Sequence, residues 1–466
     1  MANSNSKIKR FFDTFNKPAD MTKGSPWKSI AIFTVPMLVG NIAQQLYSTV
    51  DSIVVGQEVG DNALAAIGSA GPILNLLLVL FIGISAGASI MVSQYFGAKK
   101  REDLSKTIGN CITVTLISCV LLIAVMTPLL DFILTMLNTP KSIHKMCYDY
   151  LLISLLGIAG MAFYNILSGI IRGLGDSMTT LIYLLVATVI NIVLDLVFVR
   201  FMGVAGVALA TVIAQFISAS LCLLKLMRMK EYFDFKVSNL KPRSKYVKTI
   251  VRLGLPSGLT QAIFSSAMLI VQSLTNSFGE AFIAANIIIM RVDGFAMMPN
   301  FSFGTALTTY AGQNVGAGLY DRVTKGAKQG TLMALGCSTV ITVVILLFGK
   351  DLMGNFTRTE SLVNMSYQLM MILAVGYIAM AVTQSLSGIM RGAGDTMTPM
   401  WISLITTVLI RVPVAYGIAF LTSPTGNPAD GMKESIQISL LCSWTIGAIL
   451  TMIFYKIGKW KTKAIQ

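Results

Sequence analysis

Apolar residues along this chain gather into twelve long runs separated by short polar connections. In the first half the runs cover roughly 30–56, 63–92, 107–137, 147–171, 179–200 and 204–227. In the second half they cover roughly 248–278, 281–310, 327–353, 362–390, 398–420 and 435–457. Each is about 20 residues or longer, the length at which an α-helix crosses a hydrocarbon core. The one long polar stretch, residues 228–247, reads as a linker. The pattern therefore predicts an all-α integral membrane protein with a polar segment at 1–28, a six-helix lobe at 29–227, the linker, a second six-helix lobe at 248–457 and a tail at 458–466.

The two halves are copies. SGIIRGLGDSMT at Ser168–Thr179 returns as SGIMRGAGDTMT at Ser387–Thr398, with nine of twelve residues identical and an offset of 219. The same offset pairs Gln94, Gly97 and Ala98 with Gln313, Gly316 and Ala317, and Gly157 with Gly376. Nothing recurs every 20 to 50 residues, which excludes short-repeat solenoids. Six spans per half is an even number, so the second half enters the bilayer from the same side as the first. The lobes are parallel repeats, for which rocking of one half against the other is the physical expectation. Within this repeat, the glycines of RGLGDS and RGAGDT suit a tight turn, and Asp176 and Asp395 are placed to cap the helix that follows. Gly83 and Gly87 form a GxxxG step suited to close helix packing.

Composition agrees with the pattern. Hydrophobic residues make up 54% and charged residues only 12%, against about 25% charged in soluble domains. The net charge of +15 invites a nucleic-acid reading, but its distribution removes it: 28 of the 36 Lys and Arg fall in alternate connections and the two termini. That is the positive-inside bias, which predicts a multi-pass protein of the cell membrane with both termini cytoplasmic. Residues 1–28 contain no apolar core of a cleaved signal. The six cysteines form no CxxC, and His144 is the only histidine, so neither imidazole-based catalysis nor a His-based metal site is expected. Gly349-Lys350 is followed by Asp351 rather than by the Ser or Thr of a phosphate-binding loop. The chain reads as neither an enzyme nor an ATP-driven pump, and no cofactor is expected beyond a coupling ion.

Five ionisable residues lie inside apolar runs: Asp51, Asp195, Arg291, Asp293 and Arg411. Charge at bilayer depth is costly and marks function. Tyr47 and Asp51 share a helical face, as do Asn191 and Asp195. Oxygen ligands without imidazole or thiolate suit a proton or a hard monovalent cation, and a carboxyl removed from water holds its proton to higher pH. The repeat partners of Asp51 and Asp195 are Ile270 and Val414, so any such ion site belongs to the first half. Arg291 and Asp293, two residues apart, diverge around their helix; either a pairing of Asp293 with Arg411 or a direct substrate role fits them. Met290 adds a flexible thioether beside them.

The chain resembles the multidrug and toxic-compound extrusion (MATE) transporters. The match runs through Val35-Pro36, QQLYSTVDSIVVGQEVGDNALAAIG at Gln44–Gly68, VSQYFGAK at Val92–Lys99, RGLGDS at Arg172–Ser177, NIVLD at Asn191–Asp195 and GVAGVALAT at Gly203–Thr211. The second half adds LGLP at Leu253–Pro256, AGQNVGAG at Ala311–Gly318 and RGAGDT. The resemblance implies two six-helix lobes in a V. It also implies export of organic, often cationic, compounds in exchange for H+ or Na+, by a chain acting as a monomer among membrane lipids. By the same resemblance, Asp51, Asn191, Asp195 and Thr211 form the cation-coupling site, and no acid follows Pro256 where other members carry one. Tyr47, Met290, Arg291 and Asp293 are expected along the substrate's path. A lipid-linked oligosaccharide flippase of a related family is the alternative.

Overall fold

The computed structural model describes residues 18–137 and 139–465; within its helices the side chains at 47–54, 56, 57, 61 and 64 fall outside the described set. Among the described residues the elements are helical throughout. The first repeat runs α1 (Pro26–Glu58), α2 (Asp61–Gly97), α3 (Arg101–Met126), a 3-10 turn leading into α4 (Leu130–Met136), α5 (Lys141–Leu156), α6 (Ile158–Gly173), α7 (Ser177–Met202) and α8 (Val204–Arg228). The second runs α9 (Ser244–Ser277), α10 (Glu280–Gly316), α11 (Tyr320–Gly354), α12 (Glu360–Ala374), α13 (Gly376–Gly392), α14 (Met397–Leu404), a π-helical segment (Ile405–Arg411), α15 (Val412–Leu421) and α16 (Ser435–Ile457).

Among the described residues ten helices are long and apolar enough to cross a membrane unbroken, and two bent pairs, each taken as one span, make twelve. The runs at 147–171 and 362–390, expected as single helices, are broken by 49° between α5 and α6 and by 44° between α12 and α13. The first break falls on Gly157 and the second on Val375, directly before Gly376, the repeat partner of Gly157. A Cβ on Gly157 would lie 2.3 Å from a Val212 methyl, and one on Gly376 would lie 2.5 Å from the Trp444 ring. Only glycine lets the neighbouring helix come so near.

The chain packs as two compact units that do not divide at the linker. One holds residues 18–20 with Val35–Gly258, the other Met21–Thr34 with Leu259–Gln466. In the first unit the linker is bound to α3. Arg101 grips Asp234 at 2.9 Å and donates to the carbonyls of Lys230 and Glu231; this guanidinium holds the Asp234 carboxyl below the usual carboxylate range. In the second unit Arg322 donates to the carbonyls of Met21, Lys23 and Gly24, and Gln313 accepts from the Met21 amide. The N-terminal edge of α1 is thus tied to α11 by charge-assisted bonds that hydropathy does not reveal.

The repeated motif does two things. Its turn is made by Gly175 at φ 95° and Gly394 at φ 99°. Asp176 then accepts from the Thr179 amide at 2.9 Å and hydroxyl at 2.7 Å, and Asp395 accepts from the Thr398 amide at 3.2 Å and hydroxyl at 2.8 Å. The motif's other glycines are not in the turn. Gly169 and Gly173 seat α6 on α2, and Gly388 and Gly392 seat α13 on α10. Both pairs are GxxxG steps. The Gly83–Gly87 step does the same against the start of α9, where a Cβ on Gly83 would lie 2.7 Å from the Gly254 carbonyl oxygen.

The two caps differ in one respect. Asp176, with its side chain fully buried, also pairs with Lys225 at 3.3 Å, whereas among the described residues no cation lies within ion-pair distance of Asp395. Asp395→Ala is expected to cost about 1 kcal/mol, the worth of a cap. Asp176→Ala is expected to cost more, about 3 kcal/mol, because it also removes the buried carboxylate of an ion pair. Thermal unfolding in detergent checks the order; equal losses would remove the ion pair from the ledger.

Candidate functional site

In the first unit, α7 and α8 meet at Gly203, whose φ of 56° turns the chain back on itself within one residue. Gly206 keeps the returning helix close: a Cβ there would lie 2.4 Å from the Phe198 carbonyl oxygen. Asp195 lies eight residues before Gly203 and Thr211 eight after it, so both stand about 12 Å from the turn. The antiparallel pair therefore brings the fifth and sixth spans into register at this depth. Asn191 is 0% exposed and Asp195 1% exposed. The Asn191 amide donates to the Thr211 hydroxyl at 3.3 Å. Three of the four residues expected to couple the ion thus lie along one seam between α7 and α8, Asn191 and Asp195 buried and Thr211 half-buried. The fourth, Asp51, lies on α1, but its side chain is outside the described residues, as is that of Tyr47.

The seam offers a carboxylate, an amide oxygen and a hydroxyl. Such hard oxygens suit a proton or a small hard cation and lack the nitrogen and sulfur donors that transition metals prefer.

A second polar cluster occupies the second unit. Asp293, half-buried on α10, accepts a hydrogen bond from the Tyr377 hydroxyl at 3.0 Å, and that hydroxyl also meets the Met370 sulfur at 3.3 Å. Tyr377 is fully buried, its ring 5.7 Å from that of Trp444. Arg411 closes the π-helical segment, which precedes Pro413. Pro413 lacks the N–H that would bond the Leu409 carbonyl, and the helix is rewound there. The Arg411 and Asp293 charges interact, but they do not hydrogen-bond to each other, and Arg411 Nε is buried without a partner. The expected divergence of Arg291 from Asp293 is present: Arg291 is exposed, as is Met290. Tyr377 is absent from the sequence-derived set. Its only signal is its place one residue after Gly376, the repeat partner of Gly157; the contact itself spans 84 residues.

The MatE family model matches the chain twice, at residues 36–197 and 256–417. This chain belongs to the MatE family of transporters. The MatE chain is 30% identical over 411 residues to the probable multidrug resistance protein YoeA of Bacillus subtilis, covering 86% of this chain and 89% of that one. It is 26% identical to the probable multidrug resistance protein NorM of Thermotoga maritima, covering 94% of each. In fold it is similar to a solved structure described as the outward-facing conformation of a multidrug resistance MATE family transporter of the MOP superfamily. There the TM-score is 0.88, with 22% identity over 97% of this chain and 99% of that one. The duplicated match reproduces the two halves found from the 219-residue offset.

Proposed function

We propose that this MatE transporter is a secondary active antiporter, exporting organic, often cationic, small molecules in exchange for H+ or Na+ by alternating access. The observation that carries the reading is the seam of Asn191, Asp195 and Thr211. Two strongly polar side chains with almost no exposure, inside spans of high hydropathy, are costly unless they serve an ion. Asp51 is assigned to the same site as its second carboxylate, and Tyr47, Met290, Arg291 and Asp293 to the substrate's path. Protonation or Na+ binding at the seam stabilises one state and the organic substrate the other; this differential affinity couples the two movements.

The coupling sign requires ions to enter as substrate leaves. It is supported by the basic connections, which assign those ends and both termini to the cytoplasmic face of the cell membrane. The protein is assigned to act as a monomer.

The test is uphill movement of a fluorescent organic cation in proteoliposomes carrying an imposed pH or Na+ gradient. Accumulation driven by one gradient and abolished when that gradient is dissipated is expected, and it names the ion. Absence of uphill movement under either gradient, with transfer of a lipid-linked oligosaccharide instead, would overturn the antiport reading.

A further inference from the structure

The same helix face occurs in both repeats. In the first unit, α3 presents Ser105, Gly109 and Thr113 one turn apart, and the linker covers all three. The Asp234 amide donates to the Ser105 hydroxyl at 2.9 Å, and the Thr113 hydroxyl donates to the Leu240 carbonyl at 2.6 Å. Asn239 lies so near Gly109 that a Cβ there would be 2.2 Å from its carbonyl oxygen. Phe233 of the linker is buried to 1% exposure.

The residues 219 positions on are Thr324, Lys328 and Leu332 of α11. No segment lies over them among the described residues. They line an open groove of about 310 Å³ whose other walls include Leu386, Met452, Tyr455 and Lys456. Leu332 is 56% exposed, Leu386 forms a buried floor at 8%, and both lysines are exposed. The groove is apolar along its length, and the charged residues lining it are both cations. Beside it Trp460 stacks on Tyr455 at 5.3 Å and donates its indole N–H to the Tyr455 carbonyl at 3.0 Å. Stacked aromatics of this kind sit at the level of lipid headgroups.

We infer that this groove is a binding site for an anionic phospholipid, with the phosphate between Lys328 and Lys456 and an acyl chain along Leu332, Leu386 and Met452. Basic pockets between spans at the cytoplasmic side are the places where anionic headgroups dock, and the apolar floor supplies what a free phosphate would not use. The chain's own termini are poor occupants. Residues 458–466 carry Lys459, Lys461 and Lys463 with no acid, and residues 1–17 carry four cations against Asp13. Both would repel the two lysines. The inference rests on the cytoplasmic placement of the basic ends proposed above.

The test reads lipid retention without transport, so its failure is separate from failure of the antiport reading. The full chain is placed in nanodiscs of mixed phosphatidylglycerol and phosphatidylcholine, released, and its retained lipids are counted by native mass spectrometry. Each lysine near an anionic headgroup is expected to contribute about a fivefold preference, and the pair on the order of 25-fold. The double variant Lys328→Gln/Lys456→Gln is expected to lose that preference, and Lys328→Arg/Lys456→Arg to keep it. Leu332→Trp, which fills the groove and leaves both charges, is expected to reduce retention as well. Equal retention of the two lipids by the unaltered protein, an undiminished preference in the Gln variant, or an unaffected Leu332→Trp variant would each overturn the site; the last would reduce it to a diffuse basic surface.

Discussion

Replacing Asp195 by asparagine is expected to bring gradient-driven export down on the order of a hundredfold, the upper end of coupling between linked sites. Asparagine keeps the size of the side chain and most of its hydrogen-bonding capacity, so the seam between α7 and α8 stays packed and the protein stays folded. It removes the only property that responds to a proton or attracts a cation, the ionisable carboxyl. Exchange of labelled for unlabelled organic cation across the membrane, which needs no ion gradient, is expected to survive. Asp51→Asn should behave alike, and the double variant should be little worse than either, because residues acting as one unit lose their effect together. Thr211→Ala is the milder case. It removes the acceptor at 3.3 Å from the Asn191 amide, a loss of about 1 kcal/mol, and should weaken ion affinity about fivefold without abolishing coupling. Proteoliposome flux under a controlled gradient, beside the same flux at equilibrium, checks all of these. Full uphill export by Asp195→Asn would remove the seam from the mechanism.

The second large effect belongs to packing. A leucine at Gly388 is expected to destabilise the protein by about 3 kcal/mol or more, the severe end of overpacking, and to lower the yield of folded protein sharply. Its Cβ alone would lie 2.4 Å from the Gly304 carbonyl oxygen. That neighbour is backbone in the middle of α10, so it has no rotamer through which to yield. Gly336→Leu on α11 is the control: nothing lies within 4 Å of its Cβ position, and its stability should be nearly unchanged. Thermal unfolding of both variants in detergent separates close packing from a general intolerance of leucine. A Gly388→Leu protein as stable as the control would show that α13 is free to move off α10.

These two predictions differ in how much of their basis was legible beforehand. Asn191 and Asp195 are marked in the sequence by an i, i+4 spacing and by the cost of charge in an apolar run, Thr211 only by the resemblance, and the structure brings them to one seam because Gly203 reverses the chain midway between Asp195 and Thr211. Gly388 carries no such sign in the sequence, and Gly392, one turn on, looks like a turn residue. The turn needs only Gly394, and the remaining glycines of the motif serve helix contacts. In a linear sequence, a glycine needed for its φ and a glycine needed for its missing Cβ look the same; the difference is the neighbour, which comes from another helix. The partnership of Asp293 with Tyr377 was hidden for the same reason. An acid in a span announces a cost, but its donor lies 84 residues away in a span chosen by packing.

By itself, the sequence determined the class, the number of spans, the duplication and the charge asymmetry across them. These follow from local hydropathy and from register, both of which act residue by residue against the bilayer. Tertiary structure decided what depends on which surfaces meet. It broke the spans at Gly157 and just before Gly376, glycines where a neighbouring helix approaches too closely for a side chain, and it attached Met21–Thr34 to the second unit through Arg322. It also laid the linker over one face of α3, while among the described residues the matching face of α11 is left open. Two repeats with nearly the same helices therefore present different surfaces, because the segments that cover them are connections, which the duplication did not copy.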